Sequence, residues 1–362
     1  MNLMEQFRDP VLIEGLIDEI RRETDPKRTY KFMEVCGTHT MSIFRYGIRS
    51  VIPENIVLLS GPGCPVCVTP VDFIDTALEM AKIKDAITTT FGDMLRVPGT
   101  NDNLYNLRSL GCDIRTVYSP SDAVRIAGEN SSRNVIFIAV GFETTTPTTA
   151  ASILLAHKNS IKNFFILCGH KTMPNAMTAL ARSGELKLDG FICPPHVSAI
   201  TGTRIYDFLP KKYGKACVIG GFEPVDLLQT ILMLVRQINE GSSSVQNQYS
   251  RVVTRDGNLK ARQIIDSVYE ACDSEWRGLG VISTSGLKIS KNYQKYDAAE
   301  KYPMKIEKYP DNPACLCGDV LTGRKIPTDC PLFRKSCTPQ DPKGACMVSS
   351  EGTCAAYFKY KK

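Results

Sequence analysis

The sequence of 362 residues has no uninterrupted apolar run that is long enough to cross a bilayer. Apolar runs such as residues 134–140 and 164–167 are far shorter than the roughly 20 residues that a membrane-spanning helix needs. Residues 1–20 also lack the apolar core of a secretion signal, because acidic and basic side chains interrupt them. We therefore expect no membrane-spanning helix and place the protein in the cytoplasm.

Concentrated charge and nucleotide-binding motifs are missing as well. The formal net charge of +6 is small for this length, and the lysine and arginine residues are spread along the chain. Neither a Gly-x-x-x-x-Gly-Lys-Ser/Thr phosphate loop nor a Gly-x-Gly-x-x-Gly motif occurs. These absences argue against nucleic acid as a partner and leave nucleotide binding without support from any motif.

Cysteine, in contrast, is abundant, with 14 residues in the chain. In a reducing cytosol, so many thiols would not persist as a structural disulfide framework. An excess of this kind points either to metal binding or to thiol redox chemistry. Cysteine is therefore the first indication of what the protein does.

Short apolar segments alternate with turns and amphipathic stretches between residues 29 and 287, which is typical of βα units and a mostly parallel sheet. Strands are predicted at residues 30–35, 56–60, 86–90, 113–118, 135–140, 164–168, 190–193, 216–219 and 280–283. Helices are predicted at residues 70–82, 121–129, 146–158, 175–181, 224–239 and 259–272.

Segments 33–40 and 138–145 are alike in sequence, which suggests two α/β domains of similar build. Beyond these domains the sequence becomes rich in Lys, Tyr and Pro and then in cysteine. With little apolar content of its own, this last part needs a staple such as a metal cluster. We predict an α/β protein with two similar parallel-sheet domains, residues 1–130 and 131–290, and a small cysteine-rich domain, residues 291–362.

The strongest signal is a group of six cysteines near the C-terminus, namely Cys315, Cys317, Cys330, Cys337, Cys346 and Cys354. Thiolates without a nearby histidine suit either zinc or an iron-sulfur cluster, because both take soft sulfur ligands. Zinc ribbons usually contain pairs of cysteines separated by two residues, and this tail has none. Six thiols leave two over beside a four-ligand cluster, and such a pair can exchange electrons as dithiol and disulfide. Spacing alone does not say which four would be ligands.

Two further cysteine motifs follow predicted strands near the N-terminus. Cys36 and His39 belong to Cys-Gly-Thr-His-Thr, and Cys64 and Cys67 belong to Gly-Pro-Gly-Cys-Pro-Val-Cys. We expect these four side chains to converge, because open α/β sheets form their ligand crevice at the carboxyl ends of strands. Cys64 and Cys67 have the spacing of a thioredoxin-type redox pair ahead of a predicted helix. Metal binding by the same pair is equally reasonable chemistry.

Other polar residues at predicted strand ends are weaker candidates, among them Glu143, His170, Lys171 and His196. Each could line a crevice and position a polar ligand. A structural role in a turn is the simpler interpretation of any one of them taken alone. We therefore expect the chemistry to depend on the cysteines first.

These motifs together resemble the HypD family of [NiFe]-hydrogenase maturation factors. The likeness includes both N-terminal cysteine motifs, Gly-Phe-Glu-Thr-Thr-Thr-Pro at residues 141–147, and the tail from Cys315-Leu-Cys-Gly to Cys354. The resemblance implies a scaffold on which the Fe(CN)2CO group of the hydrogenase active site is assembled. It also implies two partners: a small chaperone, HypC, which shares the iron, and HypE, which supplies cyanide.

The resemblance further implies roles for individual residues. Cys36 matches the thiol that binds this iron together with the chaperone's N-terminal cysteine, and His39 lies beside it. Cys64 and Cys67 match a pair needed for assembly, as iron ligands or as a thiol relay. The tail becomes an iron-sulfur domain with a [4Fe-4S] cluster. Its implied ligands are Cys315, Cys330, Cys337 and Cys354, and its implied redox-active pair is Cys317 and Cys346.

Attaching cyanide that arrives in an oxidised, sulfur-bound form requires electrons, which a cluster coupled to a dithiol relay would provide. The competing interpretation is an iron-sulfur-dependent thiol-disulfide oxidoreductase that reduces Cys64 and Cys67 and holds no mononuclear iron. A zinc-stapled interaction scaffold without redox chemistry is a third. The sequence leaves open whether the protein is an enzyme in its own right.

Overall fold

The computed structural model has an α/β fold and describes residues 3–307, 309 and 312–361. Residues 1, 2, 308, 310, 311 and 362 of the predicted domains lie outside the described residues. The strands are β1 (Tyr30–Glu34), β2 (Ile56–Ser60), β3 (Ala86–Thr90), β4 (Ile114–Thr116), β5 (Asn134–Gly141), β6 (Phe164–His170), β7 (Gly190–Cys193), β8 (Ala216–Ile219), β9 (Val245–Asn247), β10 (Tyr269–Trp276) and β11 (Gly280–Ile289).

The α-helices lie between these strands and cover the sheets. They are α1 (Leu3–Gln6), α2 (Pro10–Glu23), α3 (Gly37–Arg45), α4 (Ile48–Val51), α5 (Val71–Ala81), α6 (Leu104–Ser109), α7 (Pro120–Glu129), α8 (Thr146–Lys158), α9 (Met173–Arg182), α10 (Pro195–Thr201), α11 (Phe208–Tyr213), α12 (Pro224–Asn239), α13 (Leu259–Val268), α14 (Ala298–Lys301), α15 (Cys317–Leu321) and α16 (Thr353–Tyr360). None of these helices combines the length and the apolar character that a membrane span requires, as far as the described residues go.

Two parallel sheets form the body of the protein, as predicted. The first sheet has the strand order β2-β1-β7-β8-β9, and the second has the order β4-β3-β5-β6. Met33 pairs with Leu59 in the first sheet, and Ile138 pairs with Leu167 in the second. Each sheet takes strands from both sides of residue 130, so the sheets do not divide there. The three domain ranges stay a prediction about folding units.

The central strands of both sheets are buried on both faces, which is why they read as continuous apolar runs in the sequence. In β5, every residue after Asn134 is buried. Helix α12 packs a row of aliphatic side chains against the first sheet. Because β1 and β2 are parallel neighbours, the residues that follow them lie together at one edge of that sheet.

The predicted helix at residues 259–272 is too long. Helix α13 ends at Val268, and the chain then forms strand β10, which pairs antiparallel with β11. Tyr269 and Trp276, at the two ends of β10, are buried, and this pairing outweighs the helical pattern of the preceding turns. The resulting hairpin reaches the end of β6, where Lys171 bridges Gly286.

The tail, defined here as residues 312–361, has a different construction. Among its described residues, the only α-helices are α15 and α16, and no strand joins a sheet. Val320 and Tyr357 nevertheless belong to the same apolar cluster as Met33 of β1. The ring of Tyr357 also lies 4.5 Å from the ring of Phe44. The tail is therefore packed directly onto the first sheet and its helices.

Candidate functional site

Cys36 follows β1 and is the residue immediately before helix α3. The backbone N–H of Gly37 donates to the carbonyl oxygen of Gly63 at 3.1 Å, so the two N-terminal motifs touch. A Cβ atom on Gly63 would overlap the backbone of Cys36, which explains the need for glycine at this close approach. Cys36 itself is 6% exposed. The structure thus brings both motifs together at the end of the first sheet.

Cys64 and Cys67 form a disulfide just ahead of helix α5, with their Cα atoms 5.3 Å apart. Both residues are buried, and the backbone N–H of Cys67 points at Sγ of Cys64 from 3.2 Å. Sγ of Cys67 also lies 3.9 Å from the carbonyl oxygen of Ala345, which precedes Cys346 in the tail. This disulfide is therefore the place where the N-terminal thiols meet the tail.

His39 lies in the first turn of α3 and points inward. Its Nε2–H donates to the carbonyl oxygens of Gly220 and Gly221, at 3.0 and 3.2 Å. Burial lowers the pKa of His39 to about 4, so the ring is neutral at physiological pH. Nδ1 is buried and has no hydrogen-bond partner among the described residues. The ring thus keeps a lone pair that can accept a proton donor or bind a metal ion.

Glu351, in the tail, is a functional candidate that sequence reasoning missed. Thr38 donates its hydroxyl to Oε1 of Glu351 at 2.5 Å. Burial raises the pKa of the Cys36 thiol to about 12, and the nearby charge of Glu351 adds to the rise. The thiol therefore keeps its proton at neutral pH unless a cation takes its place. No signal in the sequence connects Glu351 with Thr38, which lies 313 residues before it.

The tail cysteines form linked contacts, and Gly344 lies beside two of them, Cys315 and Cys317. Sγ of Cys346 donates to Sγ of Cys354 at 3.1 Å, and Cys346 also shares a hydrogen bond with Cys317. A Cβ atom on Gly344 would lie 2.7 Å from Sγ of Cys315, so the lack of a side chain makes room for that thiol. Cys330 and Cys337 complete the group, and their charges act on Cys315.

The chemistry of this group fits an iron-sulfur cluster, although its arrangement is not that of a closed metal site. Burial raises the pKa of Cys315 to about 12, and the hydrogen bond to Cys346 raises the pKa of Cys317. A metal centre would supply the positive charge that stabilises such buried thiolates. Among the described residues, no three Cys, His, Asp or Glu side chains already stand where they could hold a metal ion. Binding would require the thiols to turn toward a common centre.

Arg277, on the hairpin between β10 and β11, links the tail thiols to the disulfide. Its backbone N–H donates to the carbonyl oxygen of Val68 at 2.9 Å, and its Nε donates to that of Thr69 at 3.1 Å. Its guanidinium charge lowers the pKa of Cys317 against the larger opposing effects. Arg277 and Cys315 line a cavity of about 460 Å³ between the body and the tail.

The weaker candidates from the sequence are distributed over separate places. Glu143 is buried, accepts the backbone N–H of Met173 at 3.0 Å, and has its pKa raised to about 7 by burial. His170 and Lys171 line a second cavity, of about 300 Å³, at the end of β6. His196 packs on Phe222 at 4.5 Å between ring centroids, and His39 packs on the same ring at 5.1 Å.

Comparison with known proteins gives a consistent result. The family model HypD, described as "Hydrogenase formation hypA family", matches residues 11–361. The hydrogenase maturation factor HypD2 of Bradyrhizobium diazoefficiens is 49% identical, over 99% of this chain and 97% of that protein. HypD of Cupriavidus necator is 46% identical over 99% of this chain and 97% of its own length. HypD of Escherichia coli is 43% identical, with 100% and 99% of the two chains covered.

Proposed function

The chain belongs to the HypD family of hydrogenase maturation factors, and on that basis we propose that it is the scaffold on which the Fe(CN)2CO group of [NiFe] hydrogenases is assembled. The observation that carries the proposal is the meeting of three thiol sites. Cys36 touches the motif that contains Cys64 and Cys67, and Cys67 touches the tail beside Cys346. A buried site of this kind can hold iron and supply it with electrons.

Cys36 is the residue that we assign to the iron under assembly, which is the substrate of the scaffold. Its buried thiol gives up its proton when the iron cation binds, because the cation replaces the proton as the source of positive charge. His39, three residues further along α3, keeps an unpartnered Nδ1 that can orient a ligand or bind the iron. Cys64 and Cys67 would act as iron ligands when reduced or as a thiol relay.

We assign the tail to electron supply. The proposed ligands of a [4Fe-4S] cluster are Cys315, Cys330, Cys337 and Cys354. When bound, the cluster supplies single electrons from a reservoir held by thiolates. Cys346 interacts with both Cys317 and Cys354, which supports a thiol pair that includes Cys346; the choice of Cys317 as its partner rests on the family resemblance. Oxidation of these two thiols to a disulfide releases two electrons and two protons, which is what reduction of the Cys64–Cys67 disulfide consumes.

Two protein partners belong to the proposal. A HypC-type chaperone would share the iron at Cys36, and a HypE-type protein would deliver cyanide. We also propose that the protein works in the cytoplasm, where free thiols persist. In this view it is an assembly scaffold with redox and ligand-transfer activity rather than an enzyme for a small metabolite.

Infrared and Mössbauer spectroscopy of the anaerobically purified protein with its small partner tests the proposal. We expect CN and CO stretching bands together with the Mössbauer signal of a [4Fe-4S] cluster. In the Cys36→Ala variant the bands should disappear while the cluster signal stays. A preparation that retains the cluster and its partner but never shows diatomic bands would contradict the scaffold role.

A second function, an iron-sulfur-dependent thiol-disulfide oxidoreductase, is favoured by one observation. The disulfide between Cys64 and Cys67 lies directly against the tail, so electrons could pass to it without a mononuclear iron. This alternative predicts the cluster signal, turnover of a disulfide substrate and no infrared bands from CN or CO. The same spectra therefore separate the two functions.

A further inference from the structure

Cys346 and Cys354 bracket a short loop of the tail, residues 347–353, which we name the gate loop. Their sulfur atoms are 3.1 Å apart, so the two ends of the gate loop are close together. Within it, the backbone N–H of Gly352 donates to the carbonyl oxygen of Ser349 at 2.9 Å. Gly352 also packs against the carbonyl oxygen of Cys346, where a Cβ atom would overlap it. The gate loop thus folds back tightly between two tail thiols.

The tip of the gate loop contacts the ends of strands in both sheets. Ser349 donates its hydroxyl to Oδ2 of Asp93, which follows β3, at 2.8 Å. Glu351 accepts the hydroxyl of Thr38, which follows β1, at 2.5 Å. A Cβ atom on Gly37 would lie 2.6 Å from Cβ of Glu351, so nothing separates the loop from the residue after Cys36. The gate loop therefore lies against the two residues that follow Cys36, Gly37 and Thr38.

Residues 61–63 lie against Cys36 itself, and these are held much more firmly. Gly61 donates its backbone N–H to the carbonyl oxygen of Glu34 at 2.8 Å, which continues the pairing of β1 with β2. Gly63 packs so closely on the backbone of Cys36 that even a methyl group does not fit. The gate loop, in contrast, pairs with no strand among the described residues: Met347 and Val348 at its start pack into the apolar clusters, whereas its tip is held by the side-chain hydrogen bonds of Ser349 and Glu351, and Ser350 is exposed. Of the two segments, the gate loop is the one that can open without breaking a sheet.

We propose that the gate loop controls access to Cys36 and that the chemistry of Cys346 and Cys354 sets how often it opens. Because these two residues fix the ends of a loop only seven residues long, any change in their bonding moves its tip. Opening would expose Cys36 to a small reagent, to iron or to a partner's thiol. The gate follows from the contacts alone, whereas its meaning for iron loading rests on the proposed function.

The rate at which iodoacetamide alkylates Cys36, followed by mass spectrometry of its peptide, measures the opening. Ser349→Ala removes the bond to Asp93 without changing the charge near Cys36. We expect it to speed alkylation about tenfold, because a hydrogen bond to a charged group is worth about that factor in an opening equilibrium. Cys346→Ser should also speed it, since this change alters the bonding at one end of the gate loop and leaves the four proposed cluster ligands in place.

Two controls keep the result specific to the gate loop. Ser350→Ala changes an exposed residue of the same loop and should leave the alkylation rate of Cys36 unchanged. Cys112, a half-buried thiol beside β4, serves as an internal reference that should react equally in every variant. Glu351→Ala is a less clean test, because it also removes a charge that raises the pKa of Cys36.

An unchanged rate at Cys36 in Ser349→Ala would overturn the gate, and an unchanged rate in Cys346→Ser would overturn its coupling to the tail thiols. A faster rate in both variants supports the proposal even if the protein never shows CN or CO bands. In that outcome the proposed function fails while the gate stands, so the two failures are distinguishable.

Discussion

The N-terminal thiol site and the tail hold their cysteines in different kinds of structure. Cys36 ends a strand of a buried parallel sheet, and the disulfide pair follows the neighbouring strand. Cys317 and Cys354 stand instead at the starts of α15 and α16, which are five and eight residues long. In the body, backbone ladders fix the thiols whatever their chemical state. In the tail, short helices, apolar packing and thiol contacts such as that between Cys346 and Cys354 take the place of such ladders.

This difference indicates where the protein is rigid and where it can change. An isolated helix shorter than about 12 residues is marginal in water, so α15 and α16 depend on packing and on what joins the tail thiols. If the proposed function holds, the body would offer a fixed site at Cys36, and the order of the tail would follow its redox or metal state.

Iron removal is the strongest way to test this contrast. If the proposed cluster is present, we expect its removal by anaerobic chelation to abolish amide protection throughout residues 312–361 and to leave strands such as β5 protected. The reason is that structural metal sites in small domains supply folding free energy on the order of 10 kcal/mol, more than so small a unit has to spare. Hydrogen exchange followed by mass spectrometry gives the measurement.

Protection in β5 is the internal control for that experiment, because its residues are buried in the second sheet. A tail that stays protected after the iron has gone would mean that the packing of Val320 and Tyr357 is sufficient to hold it. The tail would then be an ordinary part of the body, with no structural dependence on its thiols.

Arg49 connects the two regions, and its replacement should have the next largest effect. Its Nη2 donates to the fully buried Glu34 at 3.1 Å, and its Nη1 donates to the hydroxyl of Tyr357 in α16 at 3.1 Å. Arg49→Met leaves the carboxylate without its cation, and we expect the free energy of unfolding to fall by about 3 kcal/mol or more. Urea unfolding measures the loss.

The exposed Arg45 is the matched control for Arg49, because Arg45→Met removes a cation from the same region without uncovering a buried acid. Glu34→Gln combined with Arg49→Met should recover part of the stability, since the pair is coupled. A loss below about 1 kcal/mol in Arg49→Met would put this ion pair with weak surface pairs and remove it as the connection between regions.

The body could be predicted from the sequence to a large extent. Strands β2, β3, β7 and β8 have the predicted bounds, because short apolar runs between turns are a local signal. Cys36 and Cys64 could be placed at strand ends by the same reasoning. Strand β10 could not, because its residues pair with β11 and their pattern alone does not distinguish a helix from a strand.

The tail could be predicted only as a group of thiols. Its contacts with Cys67 and Thr38 join residues 278 and 313 positions apart, and no local pattern encodes such pairs.

Helix α2 is a different case, because Asp9 caps it and Pro10 opens it, which is a readable start signal that our sequence prediction did not use. The contacts between residues that are distant in sequence could therefore not be predicted, whereas this helix start could have been.

The buried carboxyl group of Glu143 should make the free energy of unfolding depend on pH. Burial raises its pKa from 4.5 to about 7, so the folded state binds more protons than the unfolded state between these values. The free energy of unfolding should fall as the pH rises through this window, by about 3 kcal/mol in total. Glu143→Gln should remove this fall, as urea unfolding at about pH 5 and about pH 8 would show. An unchanged pH dependence in the variant would show that Glu143 is hydrated.

The smallest expected effect comes from adding one methyl group, by a glycine-to-alanine substitution, in each of the two regions. In Gly63→Ala the new Cβ atom overlaps the backbone of Cys36, which cannot move without disturbing β1, and we expect a loss of about 2 kcal/mol. In Gly344→Ala the nearest atom is Sγ of Cys315, at 2.7 Å, and a side chain can rotate away. We expect that variant to lose less than about 1 kcal/mol in urea unfolding. Equal losses would show that the tail is packed as rigidly as the sheets, whereas a larger loss for Gly63→Ala would locate the fixed part of the site at Cys36.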